Sequence, residues 1–76
     1  MIRAALIQLN ASDDPVANLA VTLGYVREAA RRGAGFVLTP EVTNCVSSSR
    51  DRQLAVLQNE NDDQTLAGLR AEARTL

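Results

Sequence analysis

The stretch DDPVANLAVTLGYVREAARRGAGFVLTPE, residues 13–41, decides how this chain folds. It opens as a helix start: an Asp at the cap position accepts a backbone N–H, and Pro15 suits the first turn because its missing donor would be unpartnered there anyway. The second acid favours the same end through the helix dipole. Val16, Leu19, Ala20, Leu23, Val26 and Ala30 recur at spacings of three and four, which gathers them into one apolar stripe. Asn18, Thr22, Tyr25, Arg31 and Arg32 fall elsewhere. Arg27 lies at the stripe's edge, where snorkelling of its aliphatic stem accounts for it. The pattern predicts a helix of about five turns. Arg31, Arg32 and Gly33 end it, since cations suit the negative end and glycine takes a left-handed cap without penalty. Ala34-Gly35 then leads into a short strand, Phe36-Val37-Leu38-Thr39.

Upstream, Ile2 to Leu9 is almost continuously apolar rather than alternating, the pattern of a strand covered on both faces in a parallel sheet. Strand, helix and strand form a βαβ unit, with parallel strands and a right-handed crossover expected. Downstream, Val42 to Arg50 reads as a loop. A short helix is expected over Asp51 to Leu57 after the serine caps, with Leu54 and Leu57 on one side. Asn59 to Asp63 is a polar break, and a helical period resumes through Leu66, Leu69, Ala73 and Leu76, with a start and no stop. Two parallel strands alone cannot bury both faces. The expectation is therefore an α/β fold of which these residues are an N-terminal piece, or one completed by another chain.

Composition narrows the function classes. The chain has 76 residues, eight arginines, nine acids, no lysine, no histidine and one cysteine, for a formal charge of −1. A chain this short buries only about 60% of its unfolded surface, so it is marginal by itself. Cys45 has no partner for an internal disulfide, and without histidine the usual ligand set of a zinc site is missing. A reducing, cytoplasmic setting with no metal site is the expectation. Met1 to Leu9 is too short and wrongly flanked for a secretory signal, and no apolar run approaches the ~20 residues of a membrane span. Asn10-Ala11-Ser12 fits a glycosylation acceptor but, without an export signal, reads as a strand-end loop. Scattered arginines among acids offer no phosphate-binding face, which argues against nucleic acid.

In open α/β sheets ligands bind beyond the carboxyl ends of the strands, where Asn10 and Glu41 both fall. Pro40 stops the strand and holds Thr39 extended, which mounts Glu41 stiffly. Leu38 and Val42 are placed to desolvate its carboxylate and so favour a base near neutral pH. The competing reading is a solvated loop acid. Cys45 lacks the neighbouring base and cation that a cysteine nucleophile needs, since the nearest cation is Arg50, and it reads as a small semi-buried thiol. Asp13-Asp14 as a magnesium pair competes with Asp14-Pro15 as a cap, and the cap is preferred. Ser47-Ser48-Ser49 has no histidine and no Gly-x-Ser-x-Gly setting.

Gln8-Leu9, Asn18, Gly33-Ala34-Gly35-Phe36-Val37-Leu38 and Pro40-Glu41, in this order and spacing, resemble the opening of a carbon-nitrogen hydrolase of the nitrilase superfamily over about the first 44 residues. The resemblance implies a four-layer αββα sandwich, with residues 1–76 the N-terminal part of a single hydrolase domain that is incomplete in this chain. It implies cofactor-free thiol hydrolysis of amides or nitriles by a Glu-Lys-Cys triad, of which only the catalytic base is matched, by Glu41. The lysine and cysteine of that family lie farther downstream, and Cys45 does not match the nucleophile, so residues 1–76 alone are expected to be inactive. The segment LTPEVTNC is most similar to the omega-amidase and deaminated-glutathione-amidase branch, which acts on linear carboxylic-acid amides. A small-molecule amide substrate and a homo-oligomer are implied with it. The alternative is a non-catalytic α/β assembly module or pseudoenzyme. A receiver-like phosphoacceptor is disfavoured by the missing lysine and by a second strand that ends on Glu41.

Overall fold

The helix start expected at Asp13-Asp14-Pro15 is present in the computed structural model, which describes residues 2–41 and 43–76. Helix α1 spans Pro15–Arg31, and the Asp14 carboxylate accepts from the Val16 N–H at 3.1 Å and the Ala17 N–H at 3.4 Å. At the other end Gly33 has φ 91°, and its N–H donates to the Ala30 carbonyl at 2.9 Å. That left-handed turn is open to glycine because no Cβ meets the carbonyl there. It reverses the chain into the second strand.

Strand β1 (Ala4–Leu6) and strand β2 (Phe36–Leu38) pair in parallel, with Ala4 opposite Phe36, Ala5 opposite Val37 and Leu6 opposite Leu38. The Gly35 N–H donates to the Arg3 carbonyl at 2.8 Å, and the Ile7 N–H to the Leu38 carbonyl at 3.0 Å, which extends the ladder at both ends. The expected coverage of both faces is not met. Side chains alternate across a sheet, and here Leu6, Phe36 and Leu38 are exposed on one face while Ile7 is buried and Val37 half-buried on the other. A two-stranded sheet with helices against one face leaves the other face open.

Helix α2 (Arg50–Val56) is capped by the Ser49 hydroxyl, and helix α3 (Gln64–Thr75) by the Asp63 carboxylate, which accepts from the Thr65 and Leu66 N–H groups at 2.9 and 3.1 Å. Leu54 and Leu57 are both exposed. Helix α3 packs on α1, where Gly68 lets the backbone come close to Leu19. The exposed guanidinium of Arg27 donates from Nε to both carboxylate oxygens of Glu72 at 3.0 Å, tying the two helices. The extended stem leaves the guanidinium reachable from α3, so the charge is paired across the helix interface.

Burial along α1 departs from the expected apolar stripe. Asn18 and Thr22, placed off the apolar stripe, are buried, and together with Ala29 they form a separate buried line at spacings of four and seven. The Thr22 hydroxyl donates to the Asn18 carbonyl at 2.7 Å, so its burial leaves no polar group unpaired. Among the described residues the buried positions are Ile7, Ala29, Cys45, Asn18, Thr22 and Thr65, all but Ile7 small or polar, and of these Thr22 is the one fully enclosed. The radius of gyration is 13.1 Å, against about 11 Å for a compact chain of this length. Among the described residues, no helix is long and apolar enough to cross a membrane.

Candidate functional site

Both strands end on the same side of the sheet, and the chain beyond each end builds one polar corner. From β1 come Gln8, Leu9 and Asn10; from β2 come Thr39, Pro40 and Glu41. Proline has no N–H to offer the ladder, so the strand stops before Pro40. The Thr43 hydroxyl then donates back to the Pro40 carbonyl, closing a turn with Glu41 inside it. Glu41 and Asn10 are both exposed. Leu38 is half exposed and does not enclose the carboxylate, because its side chain stands on the open face of the sheet; Val42 lies outside the described residues.

The corner is held from below by α1. The Asn18 side chain accepts from the Ser12 N–H at 2.9 Å and from the Ser12 hydroxyl at 3.2 Å. Its amide nitrogen donates to the carbonyls of Ser12 at 2.7 Å and Asn44 at 2.9 Å. One residue past Cys45, the Val46 N–H donates to the Ser12 carbonyl at 2.9 Å. The loop after β1 and the loop after β2 are therefore laced together through the first turn of α1. In the sequence Asn18 enters only as a residue off the apolar stripe and as part of a resemblance, not as a buried anchor. The signal for its role was the second small and polar line, Asn18, Thr22 and Ala29, along α1.

The remaining candidates take structural roles. Asp14 is occupied by the cap, and Asp13 lies beside Arg52, whose Nε also donates to the Asp13 carbonyl at 3.2 Å and docks α2 on the loop after β1. Ser49 caps α2, and the Ser47 hydroxyl accepts from the Ser49 N–H at 3.0 Å. Cys45 is 6% exposed, deeper than the semi-buried thiol expected, because the tethers at Asn44 and Val46 draw it inward. A cavity of about 700 Å³ lies elsewhere, between α1, β2 and α3, and is lined by Val26, Ala30, Val37, Leu69, Ala73 and Leu76 among others. Its bordering arginines, Arg27 and Arg31, already face Glu72 and Glu28. Glu41 is not among its lining residues.

Residues 3–76 match the family model for carbon-nitrogen hydrolases. This chain belongs to the carbon-nitrogen hydrolase family. Two curated relatives from different strains of Mycobacterium tuberculosis, Hydrolase MT0498 and Hydrolase Rv0480c, are each 43% identical over 54 residues. The matched region is 71% of this chain and 19% of each relative, so the alignment spans about a fifth of the length of the relatives. No solved structure matches the chain. The mixed α/β segment, with its two-stranded parallel sheet and three helices, is compatible with part of a carbon-nitrogen hydrolase domain.

Proposed function

We propose that this segment supplies the general base of an amide-hydrolysing site, and that Glu41 is that base. The observation that carries the reading is its setting: an exposed carboxylate held in a turn directly after Pro40, at the carboxyl end of a parallel strand, in a carbon-nitrogen hydrolase segment. In the full-length protein Glu41 takes the proton from a cysteine thiol as the sulfur attacks the amide carbon. A lysine ammonium stabilises the negative oxygen of the tetrahedral intermediate. The protonated Glu41 gives its proton to the departing nitrogen, the C–N bond breaks, and ammonia leaves a thioester. Glu41 then takes a proton from water as its oxygen attacks the thioester, and the thiol returns as the acid departs. Cys45 is not that thiol, a reading supported by its burial in the tethered loop.

Within the same proposal the substrate is a linear carboxylic-acid amide of the omega-amidase and deaminated-glutathione-amidase kind, on the strength of Leu38-Thr39-Pro40-Glu41-Val42-Thr43-Asn44-Cys45. The domain is an αββα sandwich that forms homo-oligomers, and no cofactor takes part. The open face bearing Leu6, Phe36 and Leu38 supports the sandwich, because a second apolar layer is what such a face requires.

The test is Glu41→Gln in the full-length protein, assayed for ammonia release from the monoamide of a short dicarboxylic acid. Ammonia release is expected to fall by about 10²–10⁴-fold, the range for a lost general acid–base group, with the circular dichroism spectrum unchanged. Turnover retained by the variant overturns the role. A parent protein that releases no ammonia from any linear amide favours the non-catalytic assembly module.

A further inference from the structure

We propose that Asn18 is a positioning residue for the reaction: its buried carboxamide fixes the loop that carries Glu41, and so fixes where that carboxylate stands. The proposal rests on the reading of Glu41 as the base. Asn18 is 7% exposed, yet its side chain is used to capacity, with two hydrogen bonds accepted from Ser12 and two donated, one to the Ser12 carbonyl and one to the Asn44 carbonyl. A primary amide suits this place because it offers two acceptor sites and two donors in one plane, and neither Asp nor Leu does.

The bond to Asn44 spans 26 residues and joins α1 to the loop three residues past Glu41. Three neighbouring constraints act with it. The Ile7 N–H holds the Leu38 carbonyl just upstream, the Thr43 hydroxyl closes on the Pro40 carbonyl, and the Val46 N–H reaches Ser12. Unlike these three, the Asn18 bond is made by a side chain that is itself buried and anchored on a helix of 17 residues, so it transmits the rigidity of α1 to the loop. A base acts only within hydrogen-bond reach of the proton it takes, and a displacement of about 1 Å at such a group lowers turnover by about 10²-fold.

The test uses the full-length protein with Asn18→Asp, nearly isosteric but with no donor for the two carbonyls when ionised, and Asn18→Ser as a smaller second variant. Three readouts are taken: amide hydrogen exchange across residues 43–47, alkylation of Cys45 followed by peptide mass spectrometry, and kcat and KM on the dicarboxylic monoamide. Exchange and alkylation are expected to quicken by about tenfold, the loss of a buried hydrogen bond. The kcat is expected to fall by about 10²-fold with KM little changed. Exchange and alkylation unchanged in both variants overturn the clamp. Quickened exchange with kcat unchanged, in a protein that Glu41→Gln inactivates, overturns the positioning role and leaves the base standing. An active Glu41→Gln variant overturns the base instead, and the clamp is then judged by exchange alone.

Discussion

Gly68 of α3 lies against Leu19 of α1: a Cβ added at Gly68 would stand 3.0 Å from Leu19 Cδ1 and 3.1 Å from Cδ2. That approach is tighter than ordinary packing but involves the flexible end of a half-buried side chain. Alanine favours a helix interior by about 1 kcal/mol over glycine. Gly68→Ala is therefore expected to leave the stability of the full-length protein within about 1 kcal/mol of the parent by urea unfolding. Gly68→Val has no such relief, and overpacking is expected to lower stability by about 1–3 kcal/mol.

The turn at Gly33 yields a sharper ordering. Its φ of 91° is unfavourable for a residue with a Cβ, and that Cβ would also stand 2.8 Å from Arg3 Nη1, which donates to the Arg32 carbonyl. Gly33→Ala is expected to lower stability by about 1–2 kcal/mol. Gly33→Asn is expected to be milder, because asparagine tolerates the left-handed region. Thermal melts of the two variants check the order, and an alanine variant as stable as the parent contradicts it.

The open face of the sheet supplies the third expectation. Leu6 is 76% exposed and Phe36 56% exposed in this segment. If they stay exposed in the full-length protein, Leu6→Ser and Phe36→Ser change stability by less than about 0.5 kcal/mol. The sandwich reading expects losses of about 2–5 kcal/mol for each, as for truncated core side chains, measured by chemical denaturation. Neutral substitutions at both positions contradict a second layer over this face.

The parts of the fold legible in the sequence are those governed by local chemistry. Asp14 and Ser49 cap their helices because each is a short acceptor placed before a helical period, and Asp63, the last residue of the polar break, caps α3 by the same chemistry. Gly33 marks the turn and Pro40 the strand end for equally local reasons. The site was half legible: the position of Glu41 follows from the strand that leads to it, and its exposure matches the solvated loop acid rather than the enclosed base. Leu38 closes β2 three residues before Glu41, and its side chain stands on the open face of the sheet, so closeness along the chain did not bring it over the carboxylate. Asn18 was missed as a buried group because periodicity sorts residues by polarity, and a carboxamide buried with its hydrogen bonds satisfied looks like a surface residue to that sorting.

By itself the sequence determined the helices, their caps, the parallel pairing of two short strands and the candidate base at Glu41. These depend on backbone preferences and on side chains within a few residues of one another. The tertiary structure decided which polar side chains are inside and which apolar ones are not. The bond from Asn18 to Asn44, the pair between Arg27 and Glu72 across 45 residues, and the open face at Leu6 depend on which surfaces meet. A hydrogen bond or apolar contact between distant segments exists only once the chain has brought them together, and no local pattern encodes that partner.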